Sequence, residues 1–419
     1  MRFYVPTDIY VEKDCVKNHA KELLAVGKRA LVVTGHSSAK VNGSLNDVTE
    51  VLNAGGVAYK IFDEVEENPS TDTVGKGAQI AREAGAEFII GIGGGSAIDA
   101  AKAMAILLVN PSVNADDLHK APSHPLDHAP VVAVPTTCGT GSEATPVAII
   151  TNHKINLKKS IPHRIFPVLA LVDGKYLASA KKQLIVNTAV DALAHMVESI
   201  LNIHSNMLNR MCPEYGLKLW GECKEALIAS VAANNASKNA APIDSLDAAR
   251  NAAQDAATKN DSGNAAPIDT QDAAQNASEN DAPLDASLYE KLMYTSTIAG
   301  MSIAMTSTAV PHGMSYDLTL SKGTPHGPAV GYFLGAYVEI CQKKVPNDVE
   351  KVLSLLGLKN VEEFAEMLRK LIGTCTVTRE LRDKFADAMK VNRSKLDLVP
   401  GGITPEEVEY IYDKSLVVE

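Results

Sequence analysis

The sequence predicts an α/β half, a mostly parallel sheet covered by helices, followed by an all-α half. Three observations carry this reading. Short apolar runs recur between helical patterns over the first 175 or so residues, two of those runs end in glycine-rich turns, and from about residue 179 the hydrophobic period becomes helical. At 419 residues the chain can fill two domains with sizeable cores, and we place them at 1–178 and 179–419.

The strands of the first half follow in order. Residues 29–34 read Arg-Ala-Leu-Val-Val-Thr, β-rich, and end in the turn Gly35-His36-Ser37-Ser38. Helical spacing leads to Gly55-Gly56 and a second run, 57–62; a third, 87–92, meets Gly93-Gly94-Gly95-Ser96 and an Ala-rich helix through Lys102. Ala129-Pro130 leads into 131–134, and 169–172 is the last run. Strands alternating with helices imply βαβ units and a sheet buried on both faces. In the second half, helical period marks 184–201, 288–305, 329–341, 361–371 and 405–416.

One segment fits neither half. Residues 239–252 (NAAPIDSLDAARNA) recur 25 positions later as 264–277 (NAAPIDTQDAAQNA), and a fragment returns at 282–285. Residues 231–287 hold nine acids and three bases, so most of the formal charge of −10 lies there. This composition predicts a duplicated, solvated insertion that buries little; a partner-binding arm is the other reading.

The acidic balance argues against nucleic acid as a partner. No window approaches a membrane span, and the start, Met1-Arg2-Phe3-Tyr4-Val5-Pro6, lacks a secretory layout. The six scattered cysteines predict reduced thiols and a cytoplasmic location.

Two turns carry binding chemistry. Gly93-Gly94-Gly95-Ser96 joins a strand to a helix, so backbone N–H groups and a helix N-terminus face the place a pyrophosphate would occupy. A tight turn with a capping box from Ser96 to Asp99 would use the same residues. The second turn, Pro135-Thr136-Thr137-Cys138-Gly139-Thr140-Gly141-Ser142-Glu143, adds four hydroxyls beyond another strand. Two such loops at neighbouring strand ends point to a nucleotide, because ligands of open α/β sheets sit at the carboxyl ends of strands.

A third constellation suits a metal. Asp191 and His195 share one helix face at i and i+4, and His312 and His326 recur later in Pro-His-Gly contexts. One carboxylate and three imidazoles would make a mixed N/O site. Taken singly, the first pair reads more often as a hydrogen-bonded surface couple and each His-Gly more often as a helix C-cap. The remaining histidines, 19, 36, 119, 124, 128, 153, 163 and 204, sit in polar contexts and read as surface.

With Gly93–Ser96, Asp99 and Lys102, residues 135–143, Asp191-Ala-Leu-Ala-His195 and the His-Gly pairs at 312 and 326 in this order, the sequence resembles the iron-containing (group III) alcohol dehydrogenases. The resemblance implies an N-terminal Rossmann-like domain and a helical domain of the dehydroquinate synthase-like architecture, with the active site between them. It implies a soluble, dimeric oxidoreductase moving a hydride between a primary alcohol or aldehyde and NAD(P). The implied metal ligands are Asp191, His195, His312 and His326, holding Fe²⁺ with Zn²⁺ as the alternative. The implied cofactor contacts are Gly94, Gly95, Ser96 and Asp99, then Thr136, Thr137 and Thr140, with Asn68, Lys158 and Leu177 matching further positions.

Two departures from the family pattern matter. Where NAD-preferring members end the early strand with Asp, this chain has Gly35, followed by Ser37 and Ser38, which favours NADP over NAD. Where many members carry a second histidine four residues after the third ligand, this chain has Tyr316, which joins His326 as a candidate for the catalytic proton route. The rivals are a dehydroquinate synthase-like lyase, a polyol or polyol-phosphate dehydrogenase, and a non-enzymatic metal-and-nucleotide sensor. Residues 314–324 offer one cation, Lys322, which disfavours a phosphorylated substrate.

Overall fold

The computed structural model describes residues 3–121, 125–240 and 284–419, with the side chains of 234–240 excepted. Its centre is a six-stranded parallel sheet in the order β1 (Asp8–Val11), β8 (Leu169–Val172), β5 (Val131–Pro135), β4 (Phe88–Gly93), β2 (Arg29–Gly35) and β3 (Ala58–Val65). Four of the inner runs are buried on both faces, which is why they read as continuous apolar stretches. From β2 the chain goes out to β3, then crosses back to β4 on the other side of β2. The strand order therefore reverses between β2 and β4, and the ends Gly35 and Gly93 stand beside that crevice.

The five predicted strands all form, within a few residues at their ends. The sequence reading did not include β1, an edge strand of four partly exposed residues, nor the antiparallel hairpin β6 (Ile149–Asn152) and β7 (Leu157–Ser160). Short strands with polar faces lack the apolar run that marks the buried ones.

After β8, a 3₁₀ turn over Gly174–Leu177 feeds the helix Lys182–Ile200, buried almost continuously from Ile185 onward. It packs against Met207–Ala240, Ala286–Thr306 and His326–Lys344. The predicted helices all appear. Five others, Met207–Ala240, Val310–Lys322, Pro346–Leu356, Arg379–Lys390 and the short Arg393–Leu396, were not anticipated. The half read as all-α also contains a two-stranded parallel ribbon, β9 (Cys375–Val377) with β10 (Leu416–Val418).

The repeats fall almost wholly outside the described residues. On the near flank the helix Met207–Ala240 continues past residue 231, where the insertion was placed, as its Ala-rich composition permits. On the far flank Asp285 caps the next helix by accepting from the Ser287 N–H. These two helices pack on each other and share the ion pair Lys291–Glu222 (2.9 Å).

The halves approach backbone to backbone at several glycines, most closely at Gly141. Gly141, with φ +58°, lies on Gly300 in the middle of helix 286–306, and a Cβ on either would overlap the other's main chain. Only glycine fits both positions.

Candidate active site between sheet and helices

A cleft of about 470 Å³ opens at the carboxyl ends of β2, β4 and β5. Ten of the thirteen residues proposed for the cofactor stand on its wall: Gly35, Ser38, Asn68, Gly94, Gly95, Ser96, Asp99, Thr137, Thr140 and Lys158. The two turns press together there. A Cβ on Gly94 would come within 3.1 Å of Thr137, and one on Gly95 within 2.8 Å of Thr140 Cγ2. The glycines therefore make room for the threonine loop as well as for a ligand.

Three candidates do not line the cleft. Leu177 is buried in the core of the helical half, because the 3₁₀ turn after β8 rolls it inward. Thr136 is tucked behind the sheet end, its N–H donating to the Gly93 carbonyl (2.9 Å). Ser37 is exposed, ahead of the short helix Ser38–Val41.

The capping-box alternative does not form: Gly94 is the N-cap and makes no side-chain cap bond. Instead the Ser96 hydroxyl accepts from the Asn68 N–H (3.2 Å), with Asn68 itself at φ +60°. Asp99 accepts from the Ser142 hydroxyl (2.5 Å) and the Ile149 N–H (2.8 Å), so its carboxylate is engaged within the protein. Fully buried Lys102 donates to the carbonyls of Ser142 (2.7 Å), Val147 (2.8 Å) and Thr145 (2.9 Å), holding the loop after the threonine turn. Lys158, on β7, brings a partly desolvated ammonium to the cleft, and burial pushes its pKa down.

The four proposed metal ligands come from three helices. Asp191 and His195 lie one turn apart on helix 182–200, His312 sits in the first turn of Val310–Lys322, and His326 opens His326–Lys344. The Nε2 atoms of His312, His326 and His195 stand 3.4, 3.6 and 3.7 Å from one oxygen, Asp191 Oδ1. For a metal–ligand bond of about 2.1 Å, the edge of a coordination tetrahedron is about 3.4 Å, so these spacings suit a shared ion. Donor atoms of Asp191, His312 and His326 lie within 4.8 Å of one another. Asp191 Oδ1 and His312 Nε2 are buried, yet neither makes a hydrogen bond. Orphaned donors of this kind, facing each other in a closed site, fit a cation.

The tautomers follow from the outer partners. His195 Nδ1 faces the Gly139 carbonyl (3.3 Å), which can only accept, so Nδ1 carries the proton and Nε2 is left for the metal. His312 Nδ1 lies 2.6 Å from Glu198 Oε2. Glu198 is fully buried and also accepts from the N–H groups of His312 (3.1 Å) and Ala309 (3.2 Å). The sequence reading missed Glu198, although it follows Asp191 at i+7 and His195 at i+3 on the same helix face.

Electrostatics complete the picture. Burial alone would raise the Asp191 pKa; the imidazoles of His195, His326 and His312 overturn it and hold the carboxylate far below its usual range. Burial pushes His195 and His326 down to about 4. It would push His312 down too, but Glu198 and Asp191 raise that imidazole to about 9. At neutral pH the metal-free site therefore keeps one extra proton, on His312, and an ion must expel it. Calorimetry in buffers of differing ionisation enthalpy is expected to show about one proton released per ion at pH 7. Apparent affinity should rise about tenfold per pH unit up to pH ~9 and level off above it. Glu198→Gln is expected to reduce the proton release and weaken affinity about 10–100-fold.

Tyr316 lies one turn beyond His312, its ring parallel to that of His326 with centroids 6.2 Å apart. Burial pushes its hydroxyl up to about 12, so it stays protonated. Tyr316, Asp191 and His326 border both the cleft and a second cavity of about 430 Å³ that also reaches His195 and His312. The sequence argument against a phosphorylated substrate drew on residues 314–324, where Lys322 turns to the Thr376 carbonyl; Lys158, Arg164 and Lys395, from elsewhere in the chain, line the two cavities. Of the histidines read as surface, His163 is buried, and His124 lies outside the described residues.

Comparison with known proteins agrees with this geometry. Residues 6–174 match the family model for iron-containing alcohol dehydrogenase, and 272–395 match its C-terminal family model. An NADPH-dependent butanol dehydrogenase of Clostridium saccharobutylicum is 36% identical over 209 residues, 49% of this chain and 53% of that protein. A long-chain primary alcohol dehydrogenase of Thermoanaerobacter ethanolicus is 35% identical over 185 residues, covering 43% of this chain and 46% of its own length. The chain thus spans about half the length of the curated relatives it matches. Solved structures are matched nearly end to end. An iron-containing alcohol dehydrogenase from Thermotoga maritima superposes with a TM-score of 0.79 at 31% identity, over 99% of each chain. With both halves matched, the chain belongs to the iron-containing alcohol dehydrogenase family.

Proposed function

We propose that this chain is an NAD(P)-dependent alcohol dehydrogenase and aldehyde reductase, with NADPH preferred. One observation carries the reading: the four-donor cluster lies where the nucleotide cleft and the second cavity meet. When bound, the metal supplies a Lewis acid for the substrate oxygen and the nicotinamide supplies or accepts the hydride. The chain's own residues position and protect. The N–H groups at Gly95 and Ser96 and the Lys158 ammonium receive the pyrophosphate, while Thr137 and Thr140 flank the nicotinamide side. Tyr316, beside His326, donates a proton to the substrate oxygen in the reducing direction. Asp191, His195, His312 and His326 form the ligand set.

The NADPH preference rests on Gly35, which leaves no carboxylate at the end of β2 to repel a 2′-phosphate. The named NADPH dependence of the Clostridium relative supports it. The six free cysteines support a reducing, cytoplasmic setting, and the exposed row Met207, Met211 and Tyr215 supports a homodimer. We place the domain boundary near residue 178, between β8 and helix 182–200.

The test is anaerobic loading with Fe²⁺, then butanal with NADPH and NADH side by side, following nicotinamide absorbance. Turnover that depends on the metal and is faster with NADPH is expected. Cofactor binding without turnover of any aldehyde or alcohol would favour the sensor reading instead.

A further inference from the structure

We infer that the second cavity takes an aldehyde with an anionic group at its far end, held by Arg164 with help from His204. This rests on the aldehyde-reductase reading and names the substrate class for that site. The cavity is buried at one end, where Asp191, His195 and His312 stand, whereas Arg164 and His204 are both exposed. Arg164 and His204 therefore stand toward solvent from the buried ligand cluster. Ile303 and Met305 contribute apolar wall.

Arg164 is the one arginine on the wall of this cavity, and its charge is unspent. Arg29, Arg210, Arg382 and Arg393 each pair with a carboxylate. Among the described residues Arg164 pairs with none; its guanidinium lies over the Phe166 ring at 6.0 Å. The hydrogen bonds of His204 run through its backbone, so its imidazole is also uncommitted.

The cavity offers no competing anion at that end. Asp191 belongs to the ligand cluster, and both oxygens of Asp99 are taken by Ser142 and Ile149. Lys395 adds a second cation, though it already donates to the carbonyl (2.6 Å) and hydroxyl (2.8 Å) of Thr308. In a chain whose formal charge is −10, a cavity mouth with a free guanidinium and no free carboxylate selects for an anion. The planar fork of arginine matches a carboxylate or a sulfonate, the chemistry the two share.

The experiment compares butanal with 4-oxobutanoate, which has the same carbon chain plus a terminal carboxylate, and with 2-sulfoethanal for the sulfonate arm. In the metal-loaded enzyme with NADPH, at least one anionic aldehyde is expected to exceed butanal in kcat/KM by about tenfold or more, mainly through KM. Arg164→Gln is expected to lower the anionic-to-neutral ratio about 30-fold, with Arg164→Lys recovering part of it and His204→Gln having a smaller effect. A preference for butanal, or a ratio unmoved by Arg164→Gln, overturns the proposal. If no aldehyde is reduced, the functional reading fails, and the subsite is judged by calorimetric titration of 4-hydroxybutanoate. Binding that Arg164→Gln weakens supports it, and absent or unaltered binding overturns it.

Discussion

Asp191→Ala is expected to leave the purified chain without metal and to lower kcat/KM at least about a thousandfold, while the protein stays folded. Its Oδ1 is the one atom approached by all three imidazoles, and it supplies the only negative charge among the four proposed ligands. Without it, three neutral nitrogens would have to hold a divalent ion alone. The fold should tolerate the change because Oδ1 is a buried acceptor with no hydrogen bond to lose. Elemental analysis, turnover and far-UV circular dichroism on one preparation check the three parts together. Full turnover in metal-free Asp191→Ala would refute the assignment.

Gly327→Ala should be nearly as damaging, although glycine carries no chemistry. At this position helix 326–344 meets helix 182–200 so closely that a Cβ would overlap the Asn187 carbonyl oxygen. That oxygen is main chain in a buried helix, so it cannot swing aside as a side chain would. The helices must separate, moving His326 away from Asp191, at a cost of about 3 kcal/mol. Loss of thermal stability together with at least a hundredfold weaker metal binding is expected. Gly323→Ala, three residues before His326, is the control. It has open space around it and suffers only the strain of φ +64°, about 1 kcal/mol. Equal behaviour of the two variants would mean that close approach is not what Gly327 provides.

These glycines also show where reading the sequence succeeds and where it stops. Asp191 and His195 were legible because i, i+4 spacing on an apolar helix is a local property. His312 and His326 were legible as histidines, but the glycine after each read as a helix end. Gly327 instead lets two helices touch, and Gly313 keeps helix 310–322 clear of Met389 and Lys395. That helix escaped notice because Pro311, Gly313 and Ser315 break its apolar period. The inner strands announced themselves through double-sided burial, but their spatial order, which brings Gly35 beside Gly93, is set by crossovers that no local pattern encodes. Leu177 matched a family position in the linear sequence and turned into the core; Arg164 and His204 could not be assigned to one cavity before the loops carrying them were placed.

The glycine-on-glycine seam between residues 141 and 300 has a consequence for how a chain of this fold diversifies. Because main chain rests directly on main chain there, the depth separating the threonine turn from helix 286–306 is fixed by backbone contact, not by the sizes of intervening side chains. Residues around the rim can then change bulk or charge while that seam keeps its spacing.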